Sequence, residues 1–114
     1  MDKIVAKLAG LGVPALVFIA AISATGLTGA AAITAGLAAL GPGGIVGGIA
    51  FLGVAGTISS AIAEYGSEAL LKGVIKELYL QGESKESIKA KIEKYPVSKK
   101  LKLSLYSTLD SFKI

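Results

Sequence analysis

Hydrophobic and polar positions along this chain fall into two regimes. From Leu8 to Ala63 no side chain is charged, whereas from Glu64 onward charged and apolar residues interleave with helical spacing. A helix needs about 20 apolar residues to cross a hydrocarbon core of about 30 Å, and the charge-free run is 56 residues long. Glycine and proline punctuate it. Residues 8–24 make a first apolar segment, about 26 Å long as a helix and expected to be a transmembrane span. Pro14 removes one backbone donor and is expected to kink it. Asp2 is placed to cap the start of that helix, and Lys3 and Lys7 to snorkel to headgroups. Thr25-Gly26 is a break. The Gly/Ala-rich segment Leu27–Leu40 has the length of a re-entrant or packed helix rather than of a span. Gly41-Pro42-Gly43-Gly44 predicts a tight turn. From Gly43 to Ala63 the pattern is again long enough to cross, with Glu64 and Tyr65 at the exit to water.

Beyond Glu64 the pattern is that of ordinary amphipathic helices. Leu71, Val74, Ile75 and Leu78 follow the i, i+3, i+4, i+7 rule, in a helix that can continue the second span and that Gly82 stops. Ser84 predicts an N-cap for a short helix with Ile88 and Ile92 on one face and Glu86 in its first turn. Pro96 ends that helix by Tyr95. Ser98 then caps a last helix, Lys99–Phe112, with Leu101, Leu105, Leu109 and Phe112 along one side. The expected fold is therefore all-α. Residues 1–63 form a membrane-embedded Gly/Ala-rich helical hairpin of two spans plus a short re-entrant or packed helix, and residues 64–114 a lysine-rich helical cap.

Composition narrows the chemistry. Every cation is a lysine, and histidine and cysteine are both absent. Thiol catalysis, disulfides, thiolate or imidazole metal sites and histidine acid–base work are excluded on that ground. Without arginine the commonest base-specific contact is missing, so no nucleic-acid partner is expected. No dinucleotide, P-loop or nucleophile-elbow motif is present. Glu64 and Glu68, four apart on one helix face, have nothing nucleophilic or metal-binding beside them. The chain is thus expected to be no enzyme and to hold no metal or cofactor. Lysines flank both ends of the charge-free block, which by the positive-inside rule puts both termini in the cytoplasm of an integral membrane protein. Met1–Ala24 also has the outline of a secretory signal, but the equally apolar residues after Ala24 favour a retained anchor.

Three features bear on function. Gly43, Gly44, Gly47 and Gly48 in GGIVGG form a doubled small-x-x-x-small motif, and Ala32 and Gly36 repeat the spacing. Such faces let helix backbones approach closely, within one hairpin or between copies in a homo-oligomer. The hydroxyls of Ser23, Thr25, Thr28, Thr34, Thr57, Ser59 and Ser60 are expected to bond a carbonyl one turn back rather than to line a polar path. Lys85, Lys89, Lys91, Lys94, Lys99, Lys100 and Lys102 make a candidate headgroup-contact patch for membrane lipid. The leading reading is a small membrane protein that self-assembles through its hairpin to permeabilise or remodel the bilayer, as toxins, lysis proteins and defence effectors do. A second is a membrane-anchored adaptor whose helical tail recruits a protein partner. The third, ranked last because the tail is short for shielding 56 apolar residues, is a water-soluble form that hides its apolar hairpin in an oligomer or inside the helical tail until it meets a membrane.

Overall fold

The computed structural model describes residues 2–26, 29–39, 45–46, 49–50 and 53–112. Seven helices make up nearly all of them, and the fold class is all-α: α1 (Asp2–Gly10), α2 (Val13–Ala24), α3 (Gly29–Ala39), α4 (Ala55–Tyr65), α5 (Ser67–Leu80), α6 (Lys85–Glu93) and α7 (Lys99–Ser111). A two-residue ladder joins β1 (Ile45–Val46) to β2 (Ile49–Ala50) antiparallel, with Ile45 opposite Ala50 and Val46 opposite Ile49. The helix expected to run unbroken from Gly43 to Ala63 is therefore replaced by this ladder and by α4. Ile45, Val46 and Ile49 are β-branched, and glycines flank them on both sides, a composition that favours an extended ladder over a helix.

The organising element is α2. It has no polar face, and ten consecutive residues from Val13 to Ile22 are buried. A helix that is apolar all round must be surrounded on every side, by lipid or by protein. Here it is surrounded by protein: α1, α3, α4, α5, α6 and α7 all pack against it. Phe18, Leu16 and Ile19 form one core with Leu70, Ile75 and Leu78 of α5, Ile88 and Ile92 of α6, and Leu101, Leu105 and Leu109 of α7. The boundary between Ala63 and Glu64 marks a change in composition, and the core crosses it.

Pro14 does not kink a span. Gly12 (φ 85°) breaks the chain instead, in a left-handed conformation that glycine tolerates, and Pro14 stands in the first turn of α2, where a missing N–H leaves nothing unpaired. Consequently α1 and α2 meet at 117°. Among the described residues no single helix is long and apolar enough to cross a membrane; α1 and α2 meet that requirement only when taken together across this bend. A second left-handed glycine, Gly66 (φ 88°), separates α4 from α5, so Glu64 and Glu68 lie on different helices and share no helix face. Further along, local signals hold. The amides of Gly82 and Glu83 close the end of α5 on the carbonyls of Tyr79 and Leu78, a Schellman arrangement. Ser84 and Ser87 cap α6 reciprocally, and the amide of Leu101 donates to Ser98 Oγ at 3.1 Å at the start of α7.

Candidate functional site

The small residues proposed as contacts divide. Gly43, Gly44, Gly47 and Gly48 lie outside the described residues, and the residues between and after them, Ile45–Val46 and Ile49–Ala50, are strand rather than helix. Ala32 and Gly36 are buried within the chain. A Cβ added at Gly36 would stand 2.7 Å from Ile22 Cγ1 and 3.3 Å from Ile22 Cα. That pair therefore brings α3 against α2, the within-chain role of a small-residue face. Gly73 does the same on α5, where a Cβ would come to 3.0 Å from Val5 Cγ2 of α1. Of the hydroxyls, Ser23 Oγ donates to the Ile19 carbonyl at 2.8 Å and Thr25 Oγ1 to the Ile22 carbonyl at 2.7 Å, the backbone bonding expected of them.

What remains open on this side of the molecule is a surface without charge. Ala31, Thr34 and Ala38 of α3 and Gly56, Ser60 and Ala63 of α4 are exposed, while Ile33, Leu37 and Ile62 are half-buried beside them. The first charged residue on either helix is Glu64. A folded surface of two adjacent helices that shows only methyl groups, backbone and hydroxyls lowers the cost of leaving water.

The lysines split into two groups. Lys89 Nζ lies 2.7 Å from Asp110 Oδ1, with Lys85 at 3.9 Å from the same oxygen, and Lys91 pairs with Glu83. The hydrogen bond from Lys91 and a second from Ser87 hold the Glu83 carboxyl below its usual range; the hydrogen bond from Lys89 does the same for Asp110. Lys85 and Lys89 thus tie α6 to α7, and Lys91 ties α6 to the turn that precedes it. Lys94, Lys99 and Lys100 are exposed, and among the described residues no ion pair reaches them. Lys102 donates to the Glu93 backbone carbonyl at 2.8 Å and has no carboxylate partner among the described residues.

Between Lys94 and Leu109 there are four lysines and no carboxylate, which equals the net charge of the whole chain, +4; the remainder balances eight lysines against eight carboxylates. This net charge sits at the connection from α6 to α7. A groove of about 450 Å³ opens there, lined by Glu93, Val97, Lys99, Lys102, Leu103 and Tyr106. Leu103 is 55% exposed. Tyr106 donates to Glu93 Oε2 at 2.6 Å, and burial together with this bond pushes its phenol up to about 12. The sequence carries a signal for the outward position of Leu103, which falls between the residues of the buried stripe Leu101, Leu105 and Leu109. The partners Glu83 and Asp110 had no comparable signal, since they meet lysines on other turns or other helices.

Among the described residues no group of three or more Asp or Glu side chains is placed to hold a metal ion. A separate crevice of about 360 Å³ between α2 and α7 is lined by Ala21, Ala24, Ser98, Lys100, Leu101 and Ser104. No protein-family model, no curated protein and no solved structure matches this chain.

Proposed function

We propose that this protein is a membrane-active helical protein that carries its Gly/Ala-rich segment on a folded scaffold and delivers it to a bilayer. There, copies associate and permeabilise or remodel the membrane. The reading rests on one observation: the exposed faces of α3 and α4 carry no charge from Ala31 to Ala63. Burial of α2 under α5, α6 and α7 supports the folded form as the state in water, which the third of the sequence-based readings requires. An integral state with both termini cytoplasmic would then follow a rearrangement, because in the folded form α2 spans only about 18 Å against a hydrocarbon core of about 30 Å. The reading assigns the chain no catalytic step. The adaptor alternative is disfavoured by the shared core: exchanging residues 1–63 for another anchor would remove α2 from beneath the tail.

Dye release from lipid vesicles tests the proposal. Thr34 and Ala38 are exposed, so Thr34→Lys and Ala38→Lys leave the folded core intact. A charge at the centre of a bilayer costs about 3 kcal/mol on insertion scales, so each variant is expected to release dye at least tenfold more slowly than the wild type. Release at the wild-type rate by both variants would show that this face does not enter the bilayer. Light scattering of the detergent-solubilised protein, corrected for bound detergent, checks self-association: a discrete oligomer is expected and a monomer counts against assembly.

A further inference from the structure

We infer that the corner where α6 passes into α7 is a docking site for an anionic phospholipid surface, with Leu103 as its apolar anchor and Lys94, Lys99, Lys100 and Lys102 as its charged rim. The inference rests on the membrane-active reading and adds to it the lipid class and the residues of first contact. A single exposed leucine on a protein surface is ordinary. Leu103 differs because of where it stands. It occupies the outer face of α7 with Lys99, Lys102 and Tyr106, at the i, i+3, i+4, i+7 spacing that aligns side chains on one stripe, and all four line the same groove. The buried stripe of α7 is a separate one, Leu101, Leu105 and Leu109. Basic residues around an apolar side chain, with a tyrosine at the same level, match the layering of a bilayer surface: phosphates outside, acyl chains within.

Charge complementarity identifies the occupant. The whole net charge of the protein is concentrated in Lys94–Lys102, and the neighbouring lysines Lys85, Lys89 and Lys91 are engaged by Asp110 and Glu83 instead. Folding thus neutralises one half of the lysine-rich segment and leaves the other half displayed. Lys99, Lys100 and Lys102 also occupy the first turn and a half of α7, which has no acidic residue in its first turn. Cations there oppose the helix dipole, and of the three only Lys102, through its bond to the Glu93 carbonyl, has a hydrogen-bond partner among the described residues. A surface of fixed negative charge offsets that repulsion. The exposed Glu93 carboxylate in the same groove accepts the Tyr106 hydroxyl at 2.6 Å.

Flotation of the full chain with vesicles of phosphatidylcholine alone, and with vesicles in which about a third of the lipid is phosphatidylglycerol, tests the site. Each lysine near an anionic surface changes partitioning by about fivefold. The double variant Lys99→Gln/Lys100→Gln is therefore expected to bind anionic vesicles about 25-fold more weakly, and Leu103→Ala several-fold more weakly. Lys72→Gln, whose partner is Glu68 on the same helix at 2.9 Å, is expected to bind as the wild type does, and raising salt is expected to reproduce the loss. Equal wild-type binding to both vesicle types overturns the docking site and leaves the membrane-active reading standing. Binding to neither vesicle overturns both. A loss of about fivefold for Lys72→Gln, the same per charge as for the double variant, would show diffuse attraction and no site. All these positions are exposed, and far-UV circular dichroism confirms that each variant folds.

Discussion

Gly36 and Gly56 are both helical glycines in the charge-free run, yet the same substitution is expected to act on them in opposite directions. Alanine gains up to about 1 kcal/mol over glycine inside a helix. At Gly56 nothing lies within 4 Å of an added Cβ, so Gly56→Ala is expected to raise the thermal midpoint. At Gly36 the added methyl would meet Ile22 at 2.7 Å, with the Ile22 backbone close behind. Overpacking of this kind costs about 1–3 kcal/mol, which outweighs the propensity gain, so Gly36→Ala is expected to lower the midpoint by several degrees. Thermal melts followed by circular dichroism decide both; a rise for Gly36→Ala would mean that α3 does not sit closely on α2. At this scale the sequence was legible wherever the signal was local. Ser84 and Ser98 cap their helices because a cap needs only the next three residues. Ser23 and Thr25 bond back to their own turn for the same reason. Asp110 and Glu83 were not legible as lysine partners, because which lysines are neutralised depends on turns and helices that meet only after folding.

The elements of the tail follow their hydrophobic period, and the elements of the charge-free run do not, because a run without polar positions has no phase. Leu71, Val74, Ile75 and Leu78 mark the inner face of α5 with or without a structure. In the first segment Pro14 could as well interrupt a helix as begin one. What decides is Gly12, whose left-handed conformation turns the chain before the proline is reached. The seam between α6 and its neighbours carries a prediction at this scale. Glu83 and Asp110 have folded carboxyls held below their ordinary values of 4.5 and 3.8. Their contribution to stability is therefore fully present above those values and is lost as pH falls through the lowered ones. The melting temperature is expected to drop between about pH 4.5 and the acid limit. In Glu83→Gln/Asp110→Asn that part of the drop should vanish, with a lower plateau at neutral pH. An unchanged acid profile in the double variant would mean that these pairs do not brace α6. At the alkaline end Tyr106, raised from 10 to about 12, contributes stability that is present below 10 and lost as pH rises through about 12. Tyr106→Phe should flatten that limb.

For the whole molecule the decisive residue is Phe18, fully buried at the centre of the helix that every other helix touches. Phe18→Ala is expected to destabilise the protein by about 3–5 kcal/mol, a large share of the 5–15 kcal/mol typical of a domain. Denaturant unfolding followed by circular dichroism should show one transition shifted for all helices together, because α5, α6 and α7 share the core with α2. Loss of helicity confined to residues 1–63, with the tail still melting as in the wild type, would refute a common core. The sequence by itself determined that the chain is largely helical, where α6 and α7 begin and where α5, α6 and α7 end, which of their faces are apolar, and that residues 8–63 cannot stand alone in water. It did not determine what covers them. Hydropathy measures the free energy of leaving water and is silent about the destination, so a helix apolar on all sides reads the same in a bilayer as in a protein core. Only the tertiary structure decided that α2 is covered by amphipathic helices whose sequences lie some 45–90 residues further along. Only it separated the lysines that hold the fold together from those displayed outward, since a charge is neutralised by whichever partner folding brings within reach.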